Sequence, residues 1–271
     1  FTVAEVGGDD HDREMKLFTA GGRRLDSAYG FNFLYAERLT PALVADALRA
    51  WPDADGIGWP SWAFENHDAP RAVSRWTAPE HADAFNRMKM LLLTCLRGNI
   101  FIYQGEELGL PQVDIAFEDL QDPEAIANWP LTLSRDGART PMPWHSECER
   151  GGFSSAKPWL PLGSAHCALA VDRQQHDPAS LLNLTRQLLA LRKAHPALQS
   201  GSCEILLVDR ARLVLRRAVA DQRMVALLNL SDQEAEWPTE LLAGGGVMHS
   251  VNGAAIGHLP PYGAILIEEY E

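Results

Sequence analysis

Residues 79–105, PEHADAFNRMKMLLLTCLRGNIFIYQG, pass from a helical apolar pattern through one glycine into an apolar run. Apolar residues recur at α-helical spacing from Pro79, Gly98 stops the helix, and 99–105 reads as a strand that stays apolar until Gln104. A helix that turns so quickly into an all-apolar strand is the crossover unit of a parallel sheet covered on both faces. Upstream, FTVAEV (1–6), AYGFNFLY (28–35) and WPSWAF (59–64) read as further strands. PALVADALRAW (41–51) reads as a helix, with Thr40 as N-cap and Pro41 at its first position. The order strand, helix, strand, helix predicts an α/β fold with a parallel sheet.

The segment 106–178 is a long loop-rich insertion that holds 8 of the 17 prolines, and insertions of that length in compact domains usually serve function. SLLNLTRQLLALRKAHPAL (180–198) is an amphipathic helix that closes this half. From Gly201 the texture changes to the short strands EILLVD, ARLVLRRAV, RMVALLNL, VMHSV and GAILIEEY, the pattern of an all-β sandwich. The boundary falls near residue 200, giving domains 1–199 and 200–271.

A formal net charge of −12 argues against a nucleic-acid backbone as partner, and no Lys/Arg cluster points to a membrane surface. No stretch approaches the roughly 20 apolar residues of a membrane span. Cys95, Cys148, Cys167 and Cys203 show neither CxxC nor zinc spacing and read as reduced thiols of a cytoplasmic protein, Cys95 packed inside MLLLTCL. The chain opens at FTVAEV without Met, as if inside a strand, so a preceding segment is expected.

In a parallel βα array, catalytic groups gather at the C-terminal ends of strands. The first strand ends in Glu5, the third in Asn66, His67 and Asp68, and the fourth in Gln104, Glu106 and Glu107. Taken alone, Glu5 is equally a solvated strand-end carboxylate, and NHD is a turn whose Asx side chains cap backbone groups. FENHDAPR (64–71), however, resembles the fourth sequence region of the α-amylase family of glycoside hydrolases (family 13), in its α-glucosidase and oligo-1,6-glucosidase branch. VAEVGGDD resembles the third region of that family. IYQGEELGLP and RDGARTPMPW (135–144) are similar to two further blocks of the branch, and AGGRRLDSAYGFNFL also fits it. The blocks stand in family order from residue 1 onward.

The resemblance implies a (β/α)8 TIM barrel with a C-terminal β-sandwich, of which this chain supplies only strands five to eight. The nucleophile region is then expected in a missing N-terminal half, as partner of this one, and with it any calcium-binding loops. Glu5 is implied as general acid/base and Asp68 as the carboxylate that hydrogen-bonds sugar hydroxyls. His67 and Arg139 are implied in substrate binding, with Phe64 and Phe31 as sugar-stacking surface. A salt bridge to Asp136 or a neighbouring carboxylate is the plain alternative for Arg139, and core packing for Trp62. Glu106, Glu107 and Gln104 are expected to support the site's mouth. Asp26, in RRLDS, mimics the R-x-D of a nucleophile region but follows the acid residue instead of preceding it.

The function so implied is a retaining α-glucosidase acting on a small α-glucosidic saccharide, with no metal or cofactor in this chain. Two alternatives differ in class. A non-catalytic relative, like the heavy subunits of amino-acid transporters, is disfavoured because Glu5, His67 and Asp68 are all present. A metal-dependent hydrolase would use Asp9, Asp10, His11 and Asp12 together with His67 and Asp68.

Overall fold

The alternation of apolar runs and amphipathic helices produces parallel pairs of short strands. β1 (Val3–Val6) pairs in parallel with β2 (Ser27–Gly30), Glu5 standing opposite Tyr29, and β3 (Ser61–Ala63) pairs in parallel with β4 (Asn99–Phe101). In the chain α1 (His11–Thr19) joins the first pair, α2 (Pro41–Arg49) leads to β3, and α3 (Ala72–Trp76) and α4 (Ala82–Cys95) lead to β4. These elements belong to a computed structural model that describes residues 1–22, 24–52, 58–132, 134–147, 149–241 and 244–270. The chain forms two compact units, one of Phe1–Ala63, Ala84–Phe101 and Gln187–Glu271, the other of Phe64–Asp83 and Ile102–Arg186.

In the first unit a buried polar clasp aligns the starts of three strands. Ser27 and Ser61 share a hydroxyl hydrogen bond of 2.5 Å, and Asn99 Nδ2 donates to both, at 3.1 and 3.2 Å. Both serines are buried, so each hydroxyl must find its partner inside the protein. Gly98 is glycine for a steric reason: at φ +133° a Cβ would lie 2.5 Å from the Pro60 carbonyl oxygen and 2.8 Å from Trp62 Nε1. That close approach lets Trp62 donate to the Arg97 carbonyl at 2.6 Å and places Trp62 in the core, against Phe33.

α4 ends among arginines that arrive from far along the sequence. Arg192 donates to the carbonyls of Thr94, Leu96 and Gly98. Arg217, fully buried, donates to the carbonyls of Cys95, Leu198, Gly201 and Ser202. Guanidinium groups thus satisfy the orphan carbonyls of the helix C-terminus, where positive charge is favoured. The Cys95 thiol there is pushed up to about 12 by burial, so it is an inert packing group, as its apolar run predicts. Among the described residues Cys95, Cys167 and Cys203 form no disulfide, and Cys148 lies outside the described residues.

α7 (Leu181–Ala194) breaks at His195, whose extended backbone precedes Pro196, and Pro196 becomes the first residue of α8 (Pro196–Gln199). The single helix expected over 180–198 is therefore two. Beyond it, β5 (Ser202–Val208), β6 (Arg212–Val219), β7 (Gln222–Asn229), β8 (Gly245–Val251) and β9 (Ala264–Glu269) form one antiparallel sheet in the order β5-β6-β7-β9-β8. The C-terminal β domain has the form of a single sheet among the described residues, where the sequence predicts a two-sheet sandwich. The physical reason is visible in β7, where Met224 to Leu228 are all completely buried. Val225 and Leu227 pack with Leu259, Trp237 and Leu241, which lie outside the sheet, and α8 reaches the sheet at β6 and β7. Non-strand segments and helices thus supply the second layers.

Two other strands are shorter than expected. β2 ends at Gly30, and the chain passes directly into a turn over residues 32–35 that buries Phe33 and Leu34. β4 ends at Phe101, because the Glu106 carboxylate draws the Tyr103 N–H into a turn at Gly105, where φ is +84°.

The second unit holds α5 (Pro123–Asn128) and α6 (Val171–Gln175) and, among the described residues, no strand. Buried side chains organise its loops. Gln174 Nε2 donates to the carbonyls of Leu108 and Leu169 while its oxygen accepts from Leu182 N. Leu108, Leu110, Met142 and Leu182 form the apolar cluster beside it. Among the described residues, no helix is long and apolar enough to cross a membrane. Replacing Ser61 with Ala is expected to cost about 1–3 kcal/mol, the range for disturbing a buried hydrogen-bond partner, read as a lower urea midpoint at unchanged slope.

Candidate active site

In the second unit, residues 64–71 continue the chain from β3 and divide their polar groups between holding the loop and leaving side chains accessible. Asn66 is buried, and its Oδ1 accepts from the backbone N–H of Asp68 and of Ala69, both at 2.9 Å. The Asx turn is therefore real at Asn66. Glu65, also buried, accepts from Ala72 N at 3.2 Å and pairs with Arg71 at 3.1 Å. Phe64 has no exposed surface, and its ring meets Trp76 edge-on at 5.8 Å. It is a core residue with no face to offer a sugar, which corrects the expectation of a sugar-stacking surface there. His67 and Asp68 remain accessible, with 53% and 25% of their side chains exposed.

Arg71 anchors this loop to two others. Its guanidinium, wholly buried, donates to Glu65, to the Gln104 carbonyl at 2.7 Å and to the Ala138 carbonyl at 3.1 Å. It also lies 4.7 Å from the centre of the Tyr103 ring, whose hydroxyl donates to the same Ala138 carbonyl. Arg139, the next residue, donates from Nη2 to Asp68 Oδ1 at 2.6 Å and from Nε to the His67 carbonyl at 2.7 Å. Its partner is thus Asp68 and not Asp136, whose carboxylate accepts from Gln121 N and Asp122 N. The structure brings three of the expected residues, His67, Asp68 and Arg139, into one cluster.

Two members of that cluster escaped the sequence reading. Arg135 Nη1 stands 3.3 Å from Asp68 Oδ1, while its Nε and Nη2 fork onto Asp122 at 2.9 and 2.6 Å. Asp122 also caps α5 through Glu124 N, a role legible in the dipeptide Asp122-Pro123 at a helix start. Arg135 opens a 3-10 turn and Arg139 is its C-cap, so one short piece of loop supplies both cations. Hydrogen bonds from Arg135 hold the Asp122 carboxyl well below the usual carboxylate range. In the YQGEELG block, Glu106 is completely buried and shapes the turn, while burial pushes the Glu107 carboxyl up. His166 is buried too, its Nε2 on the Pro111 carbonyl, and burial pushes its imidazole down.

In the first unit Glu5 is exposed, one residue before the end of β1. Phe31, half-buried, lies beyond the end of β2 with its ring 5.3 Å from Tyr35, and a Cβ on Gly7 would meet it at 3.0 Å. Asp26 accepts from Thr2 N and Oγ and so ties down the start of β1. The acidic stretch 9–12 is the start of α1: Asp10 caps the helix through Arg13 N and Asp12 receives Asn32. Among the described residues, no three of Asp9, Asp10, His11 and Asp12 bring ligand atoms together.

Residues 1–201 match the family model described as the α-amylase catalytic domain. The chain belongs to the α-amylase family. It is 44% identical over 238 residues to a probable α-glucosidase of Rhizobium meliloti, covering 86% of this chain and 42% of that one. It is 31% identical over 256 residues to the probable oligo-1,6-glucosidase 2 of Bacillus subtilis, covering 86% and 45%. The crystal structure of the α-glucosyl transfer enzyme XgtA superposes with a TM-score of 0.88 at 38% identity, over 99% of this chain and 50% of that one. Trehalose-6-phosphate hydrolase of Bacillus licheniformis, 23% identical with a TM-score of 0.86, shares the fold over 98% of this chain and 55% of its own. The chain spans about half the length of these relatives.

Replacing Arg71 removes one member of a buried ion pair with Glu65, so Arg71→Met is expected to destabilise the protein by about 3–5 kcal/mol, measured by denaturant unfolding. The neutral His166 imidazole sets a second expectation. Its folded pKa lies below that of the unfolded chain, near 6.5, so the unfolded state binds the extra proton. Stability is full above pH 6.5 and is lost as pH falls below it. Melting temperatures at pH 7.5 and 5.5 should differ less in His166→Gln than in the parent.

Proposed function

We propose that the protein carrying this chain is a retaining α-glucosidase, hydrolysing or transferring α-linked glucosyl groups from the non-reducing end of short oligosaccharides or glucosides. The cluster of Asp68, His67 and Arg139 carries this reading, because it joins a partly exposed carboxylate to an accessible imidazole and a cation in the blocks that resemble the family. In the first step Glu5 gives its proton to the glycosidic oxygen as the bond to the anomeric carbon breaks. A carboxylate nucleophile outside this chain captures that carbon from the opposite face. In the second step Glu5 takes a proton from water, or from an acceptor alcohol, as that oxygen displaces the enzyme carboxylate, and the starting configuration is restored. Asp68 accepts hydrogen bonds from sugar hydroxyls and favours the positively charged transition state, His67 donates to a hydroxyl, and Arg139 holds Asp68. We place the end of the catalytic domain near residue 200, where the family match also ends.

In the full-length protein, Glu5→Gln is expected to lower kcat for an α-glucoside with a poor leaving group by roughly 10²–10⁴-fold. Azide should restore turnover of p-nitrophenyl α-glucoside and yield the α-glucosyl azide, since a small anion can replace the deprotonated water. Unchanged hydrolysis in the variant overturns the role of Glu5. The 271-residue chain alone is expected to release no p-nitrophenol.

A further inference from the structure

The contacts of Asp68 are lopsided. Among the described residues its hydrogen bonds and ion pairs all fall on Oδ1: Arg139 Nη2 at 2.6 Å, Arg135 Nη1 at 3.3 Å and His67 Nε2 at 3.6 Å. Oδ2 is left as the oxygen that can accept from a ligand. Which oxygen faces outward is decided by the rotation of the carboxylate, and a second cation on Oδ1 restricts that rotation further than Arg139 alone.

Arg135 is suited to supply the second hold because its own direction is fixed. Its Nε and Nη2 are committed to the two oxygens of Asp122, the fork geometry that arginine makes with a carboxylate. Asp122 Oδ2 also accepts from the Arg135 backbone N–H at 3.1 Å, and the Asp122 side chain is completely buried. Asp122 is held in turn by the buried Asp136, which accepts from its N–H at 2.8 Å. With two of its three nitrogens so placed, the planar guanidinium presents Nη1 in one direction, and Asp68 stands there. Two arginines and two aspartates balance in charge. The Asp122 carboxyl, held well below the usual carboxylate range by Arg135, stays ionised at any working pH.

We propose that Arg135 is a positioning residue of the glycosidase site, which with Asp122 as its buried anchor fixes the Asp68 carboxylate so that Oδ2 faces the sugar. This rests on the reading of Asp68 as the residue that grips sugar hydroxyls. Arg135 acts through Asp68. Lysine at this position keeps the charge but cannot make the fork, so the carboxylate is held by a mobile point charge instead of a fixed plane.

The test uses the full-length protein with Arg135→Lys and, because a lone buried Asp122 endangers folding, the double variant Arg135→Gln/Asp122→Asn, which keeps a hydrogen-bonded neutral pair. Each is assayed with p-nitrophenyl α-glucoside and with its counterparts lacking the hydroxyl at C2 or C3, and each is crystallised. Misplacing a catalytic group by about 1 Å can cost on the order of 10²-fold. We expect kcat/KM for the glucoside to fall roughly ten- to hundredfold, mostly in kcat. Turnover of the deoxy substrate that lacks the gripped hydroxyl should hardly change, since Asp68 has nothing to hold there. In the crystals the Asp68 carboxylate should be rotated or doubled in orientation. Equal losses on all substrates, no loss, or an unmoved Asp68 carboxylate overturn the proposal. If the parent protein turns over no α-glucoside, the reading of its function fails, and the orientation of Asp68 in the variants still decides whether Arg135 positions it.

Discussion

A buried guanidinium holds the second unit's cluster in place. Arg71 sits where water cannot reach, and its charge is met by one carboxylate, two main-chain carbonyls and the face of a tyrosine ring. Such an arrangement costs desolvation and adds little net stability compared with a well-packed apolar group, but it is exacting about geometry. The three segments it joins are those that contain Asp68, precede Glu106 and lead to Arg139. An apolar substitute could fill the same volume without specifying where those segments lie.

That is why an apolar run such as WPSWAF is followed at once by so many polar residues. Most of them are structural. Glu65 serves Arg71 and the start of α3, Asn66 closes the turn, and Arg75 donates to the carbonyls of Pro70 and Phe64. Only after those backbone groups are satisfied do His67 and Asp68 stay accessible, on a loop stiff enough to keep its geometry. Asp122 and Asp136 have the same role a layer further out, so the exposed carboxylate rests on a ladder of buried ones.

The sequence carried the local features well. Thr40 caps α2 through Leu43 N, with Pro41 in the first turn, and Gly98 stands where no side chain fits. Strand lengths were less legible, because an apolar run tells of burial without telling whether the backbone is extended: Phe33 and Leu34 are buried in a turn. The C-terminal apolar runs misled in the same way, as continuous burial came from covers that are not a second sheet. Asp68 and Arg139 were readable from their motifs. The link from Arg135 to Asp68 spans 67 positions, and no spacing rule reaches that far. The burial of Phe64 is not legible, because an aromatic residue at a strand's end looks alike whether it faces a ligand or a neighbouring tryptophan.

The arginines at the end of α4 tie folding to the timetable of synthesis. The carbonyl of Cys95 receives its hydrogen bond from a residue 122 positions further along. At ordinary translation speeds that interval lasts roughly 6–24 s, during which the helix has emerged and its last turn has no protein partner for that carbonyl. Long-range closure of this kind makes folding slow as well as late. The nascent chain thus spends seconds with an apolar helix unfinished, the state in which a holding chaperone on the ribosome would matter most.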